Sequence, residues 1–227
     1  MTERETPPVD GLVIGILGGT GDQGRGLARR FALAGHQVII GSRSAERASA
    51  AAREIGHGVQ GLANADAARG ASVVIAAVPW EGHGDLLSAL AAELTGKIVV
   101  DCVNPLGFDQ RGAYALSAAE GGPAEGSAAQ QAAALLPGSR VVAAFHHVSA
   151  VLLSDAAVTS FDLDVMVLGD DREATDTVQA LAAVIPGMRG LYAGRLRNAR
   201  QVEALTANLI SINRRYKAHA GLRITDV

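Results

Sequence analysis

Gly19, Gly21 and Gly24 stand in GxGxxG spacing within "GGTGDQG", directly after an apolar run and at the start of a helix-like segment. This spacing suits a pyrophosphate. The first glycine permits a tight turn, the second lets the phosphates approach the backbone, and the third allows the helix to pack closely on a strand. The helix start then offers unpaired N–H groups and partial positive charge. Thr20 is a further donor to phosphate or ribose. Its other reading is a plain turn residue.

About twenty residues beyond this loop, where an acidic side chain would accept from a free ribose 2′-hydroxyl, the chain has Ser42 and Arg43. Arg43 can fork onto phosphate oxygens, Ser42 can donate a hydroxyl hydrogen bond, and Arg47 follows one helical turn later. The pattern points to NADP. The competing reading is a solvated arginine face.

Candidates for acid–base chemistry are few. Lys97 and Lys217 are the only lysines, and Lys97 begins a strand at the wrong edge of the sheet. His146 and His147 follow "VVAAF", and alternation along a strand would point them to opposite faces, which argues against their sharing a metal ion. One of them remains open as a proton donor or ring contact, or as an ordinary loop histidine. Asp101 and Glu81 have only modest claims. No catalytic side chain and no metal ligand is expected. A reaction that needs no protein proton donor, hydride passing directly between two organic carriers, resolves this shortage.

The elements that position these residues follow from five apolar runs, "LVIGIL", "QVIIG", "VVIAAV", "KIVVD" and "RVVAAF", each separated by enough chain for a crossover helix. Continuous rather than alternating apolarity predicts an α/β fold with a parallel, doubly wound sheet covered on both faces. Helices are expected near residues 22–35, 44–55, 82–94, 127–136 and 172–185, with a last one from about Asn198 to Ala220. The stretch from Pro105 to Gly126 reads as a long loop, a lid or a flexible insertion. Val78 and Asn104 end strands at the edge where such sheets bind ligands, and Trp80 there serves as a ring cover or a packing anchor.

Across 227 residues the net charge is −3, with both signs interspersed, so no broad basic field for nucleic acid exists. Cys102 is the only cysteine, which excludes an intrachain disulfide and suits the cytoplasm. No apolar run is long enough to span a membrane. The polar opening residues 1–11 read as a leader.

Taken together, "GGTGDQGRGLA", "IIGSR", "VPWEGHG", "DCVNP" and "RNARQVEALTANLISIN" resemble the coenzyme F420-dependent NADP oxidoreductases, from about Val13 to Leu222. The resemblance implies reversible hydride transfer between reduced F420 and NADP in a cytoplasmic homodimer. It also implies a Rossmann domain, here residues 12–145, and a smaller C-terminal domain, residues 146–227. NADP contacts carry over to Thr20, Gly21, Asp22, Gln23, Ser42, Arg43, Arg47, Val78, Gly82, Asn104 and Ala150. Val148 would set the spacing of the stacked rings, and Arg200, Thr206 and Leu222 match the deazaflavin region. Two segments depart from the family pattern: "HHVSA" replaces a single-histidine segment, and Gly82 replaces a histidine. Rival readings are an NADPH-dependent imine or carbonyl reductase and a non-catalytic NADP sensor.

Overall fold

A computed structural model describes residues 7–227. The first half runs β1 (Val13–Leu17), α1 (Asp22–Leu33), β2 (Gln37–Ser42), α2 (Ala45–Ile55), β3 (Gln60–Ala63), α3 (Asn64–Gly70), β4 (Val73–Ala76), α4 (His83–Ala89), α5 (Ala91–Leu94) and β5 (Ile98–Asp101). There follow β6 (Leu106–Asp109), β7 (Gly112–Ala115), α6 (Ala128–Leu135), β8 (Arg140–Ala143), α7 (Ala150–Ser154), β9 (Leu163–Gly169), α8 (Arg172–Ala183), β10 (Met188–Gly194) and α9 (Ala199–Tyr216).

Eight strands form one sheet in the order β3-β2-β1-β4-β5-β8-β9-β10. All neighbours are parallel except β8 and β9. The fold is thus a Rossmann-like, mostly parallel sheet with flanking helices. Successive residues of one strand enter opposite cores: Val73 and Ile75 join the side under α1, while Val74 and Ala76 join the side under α4 to α6. Burial on both faces is the reason these strands read as unbroken apolar runs.

Several expectations are revised. β3 and α3 lie in a segment where the sequence predicts neither, and the long loop after Pro105 contains the antiparallel hairpin β6–β7. The helix expected over 82–94 is a 3-10 turn at Trp80–Gly82 followed by α4 and α5. The last helix stops at Tyr216 because Lys217 takes a left-handed φ of 51°. Of the expected leader, residues 1–6 lie outside the described residues, and Val9 is buried in the core.

Candidate cofactor site

The strand order reverses between β1 and β4, and the carboxyl ends there open into a cleft of about 520 Å³. Its first wall is the glycine loop. The positive φ of this turn, 77°, falls at Gly18 and not at Gly19, which corrects the role expected of Gly19. Gly19 is needed for closeness: an added Cβ would lie 2.4 Å from the Ile40 Cβ, and one on Gly24 would lie 2.7 Å from the Gly18 carbonyl oxygen. The loop is tied to β2 by the Gly19 N–H, which donates to the Gly41 carbonyl at 3.2 Å. Ser42 and Arg43 are thereby brought beside it.

Side chains cap α2, α6, α7 and α8, through Ser44, Ser127, Ser149 and Asp171. Among the described residues α1 has no such cap, and neither do α3, α4, α5 and α9. What sets α1 apart is that Gly21, Asp22 and Gln23 at its start line the cleft, where first-turn amides can meet an anion. Ser42 is buried and accepts from the Ser44 N–H. Arg43 and Arg47 are exposed, and no hydrogen bond or ion pair engages either guanidinium among the described residues.

The far wall comes from β4, β5, the turn after β8, and α9. Val78 and Trp80 follow β4, and Asn104 follows β5. The Trp80 indole donates to the Gly121 carbonyl at 2.8 Å and its ring lies 5.5 Å from that of His83. Thr206, Leu209, Ile210 and Asn213 line the cleft from α9 at helical spacing, a signal the sequence carries. The His146 carbonyl joins the walls. It accepts from Asn104 Nδ2 at 2.9 Å and Thr206 Oγ1 at 3.2 Å. Gln23 similarly reaches the Phe145 carbonyl at 3.2 Å.

The expected strand alternation at His146 and His147 does not hold. β8 ends at Ala143, and Phe145 turns the chain with a left-handed φ of 63°, held by edge-on packing against Phe31 at 6.0 Å. Both histidines are buried and both line the cleft. Burial pushes each down to about 4, so their rings are neutral at neutral pH. Neither nitrogen of the His146 ring has a hydrogen-bond partner among the described residues. Burial also raises the Cys102 thiol, whose sulfur donates to the Ala76 carbonyl.

The uncapped α1, the crowded glycines that bring backbone to the cleft, and the orphaned His146 ring all fit a ligand with phosphates at one end and a ring at the other. Among the described residues no group of three or more His, Cys, Asp or Glu is arranged to hold a metal ion. A family profile, NADP oxidoreductase coenzyme F420-dependent, matches residues 13–105. The F420-dependent NADP reductase of Methanothermobacter thermautotrophicus is 39% identical over 233 residues, covering 95% of this chain and 96% of that one. The chain belongs to the F420-dependent NADP reductase family. A solved structure from Arthrobacter sp. FB24, provisionally described as an F420-dependent NADP reductase, superposes with a TM-score of 0.81 at 29% identity, covering 95% of this chain and all of that one. An imine reductase from Bacillus cereus, at 16% identity and a TM-score of 0.63 over 90% of this chain and 63% of that one, shares the fold alone.

For this member of the F420-dependent NADP reductase family, Gly21, Asp22, Gln23, Val78, Asn104, Val148, Ala150 and Thr206 line the one cleft. Thr20, Ser42, Arg43 and Arg47, in and beside the glycine loop, lie outside that lining, as do Gly19, Gly24, Gly82, Arg200 and Leu222. Gly82 ends the 3-10 turn beside Trp80. Arg200 is exposed on α9 and borders a small crevice with Pro105 and Leu116. The Leu222 carbonyl accepts from the Asp164 N–H, and Ala220, two residues earlier, is the tail residue at the cleft.

Proposed function

We propose that the protein passes hydride reversibly between reduced coenzyme F420 and NADP, both seated in the one cleft. Residues 12–145 hold most of NADP, and residues 146–227 add Val148 and Ala150 at its nicotinamide end and complete the F420 side through α9. When bound, the nicotinamide and deazaflavin rings supply the hydride chemistry themselves. The chain binds, orients and keeps water out.

On the NADP side, the first turn of α1 meets the pyrophosphate, while Thr20, Ser42, Arg43 and Arg47 meet the 2′-phosphate and ribose. Val78, Asn104 and Ala150 flank the nicotinamide end. Val148, 4% exposed, would back the ring and help set the spacing of the two carriers. Thr206 and His146 face the second ring, and Gly82, Arg200 and Leu222 contribute around the mouth. The observation that carries this reading is a cleft with the crowded glycine loop and the start of α1 on one wall, α9 on the other, and two lining histidines held neutral, which suits direct transfer and serves an oxyanion poorly.

Among the described residues no helix is long and apolar enough to cross a membrane. Two chains pair as a homodimer in this reading, supported by the exposed apolar side chains of Ile212, Tyr216 and Phe108. Sedimentation checks the pairing. Stopped-flow mixing of the protein with reduced F420 and NADP tests the activity: coupled F420 oxidation and NADPH formation are expected, and their absence ends the proposal.

A further inference from the structure

Beneath the α9 wall lies a buried polar cluster that the hydride reading does not use. Glu203 is 2% exposed. Its two carboxylate oxygens accept from the N–H groups of Ala128 at 3.0 Å and Ala129 at 3.2 Å, in the first turn of α6. Nearby, His83 Nε2 donates to Asp101 Oδ2 at 2.6 Å, and His83 Nδ1 stands 2.9 Å from Gln131 Oε1. Gln131 turns its amide nitrogen to Glu125, so both ring nitrogens of His83 stand beside acceptor oxygens, an arrangement that favours the protonated ring. Burial opposes that charge, but Asp101, Gln131 and the more distant Glu203 outweigh it and raise the His83 pKa.

One turn along α9 from Glu203 is Thr206, through which the helix meets Asn104 and the His146 carbonyl. We propose that Glu203 is a positioning residue whose single proton governs how α9 seats against α6, and through Thr206 how the F420 side of the cleft is shaped. The F420 half of this inference rests on the functional reading above.

The groups facing Glu203 are His83 from α4, Asp101 from β5 and the first amides of α6. On its own helix Arg200 is exposed one turn earlier, and from the hairpin side Pro105, Ala115 and Leu116 bring no charge. Burial pushes the Glu203 carboxyl up to about 7; the two α6 amides pull the other way, Asp101 adds to the rise, and His83 opposes it. A seated helix thus holds the proton more tightly than a lifted one, whose carboxyl returns toward 4.5. Seating is strongest at low pH, weakens as pH climbs from 4.5 to about 7, and levels off above that. Between about pH 6 and pH 8 the seating constant falls roughly tenfold. Glu203→Gln is uncharged at every pH; its amide nitrogen cannot accept from one of the two α6 N–H groups, so it seats more weakly than protonated wild type but without this pH dependence.

Native-state hydrogen exchange of the full chain, wild type beside E203Q, reads the seating directly. The wild-type to E203Q ratio of opening constants is expected to rise about tenfold from pH 6 to pH 8 in α9 and to stay flat in α8. A flat ratio in α9 overturns the proposal. Steady-state kinetics carries the test to the site, and the same ratio cancels ionisation of the cofactors themselves. The F420 KM ratio is expected to rise over this pH range while the NADP KM ratio stays within about twofold. Exchange that moves while the F420 ratio does not would confine the proton to helix seating and defeat the positioning claim. Wild-type protein that binds NADP but never turns over F420 defeats the functional reading and the F420 half together, and the exchange ratio still decides whether Glu203 governs α9.

Discussion

Ile40 leaves Gly19 no room for a side chain, whereas an added Cβ at Gly82 meets nothing within 4 Å. Gly19→Ala is therefore expected to cost about 1–3 kcal/mol in urea unfolding and to weaken NADP binding, while Gly82→Ala leaves unfolding near wild type. Arg43→Ala should weaken NADP far more than NAD through loss of charge-assisted phosphate contacts of about 1.5–3 kcal/mol; equal weakening of the two, measured as KM, would remove Arg43 from the 2′-phosphate. These residues were legible because their chemistry depends on local spacing. His83, Asp101 and Glu203 were not, since their meeting depends on three separate elements packing together, and no sequence period connects them. The carbonyl of His146 was equally hidden. A backbone acceptor has no letter of its own.

Among the elements, α1 and α7 are fastened by one side chain. Arg30, 5% exposed, donates to the carbonyls of Leu152 at 2.8 Å, Leu153 at 2.8 Å, Asp155 at 2.7 Å and Val158 at 2.7 Å, and its guanidinium lies 4.8 Å from the Phe161 ring centroid. This clamp fixes the segment that begins at Val148–Ala150 in the cleft. Arg30→Met is expected to cost about 2–4 kcal/mol in denaturant unfolding by leaving buried carbonyls unpaired, and to lower kcat through displacement of α7. Guanidinium added to Arg30→Ala should restore part of the kcat. The central strands were legible as apolar runs covered on both faces. β3, "QGLA", is a short edge strand with no β-branched residue, and β6–β7 sits in a polar, glycine-containing stretch, so neither offered a pattern to read.

For the molecule as a whole, acid should act mainly through His146 and His147, while the buried His83, whose pKa is raised, works the other way. His146 and His147 hold folded values near 4 against an ordinary 6.5, so the unfolded chain takes up protons first as pH falls. Stability is lost from about pH 6.5 down to about pH 4, at roughly 3 kcal/mol per histidine, and Glu203 offsets part of this by gaining protons on folding between about 7 and 4.5. Arg189 beside Asp164 holds that carboxyl down to about 2, adding a further loss only below its ordinary value of 3.8. Melts followed by circular dichroism from pH 7 to pH 4 should trace this limb, and His147→Asn should make it shallower. The one tryptophan of the chain, Trp80, stands on the cleft wall and is held there by its hydrogen bond to the Gly121 carbonyl. Nature has thereby wired a label-free lamp into the doorway: a chromophore that absorbs indole emission dims it on entry, so occupancy of the doorway can be timed apart from any chemistry that follows.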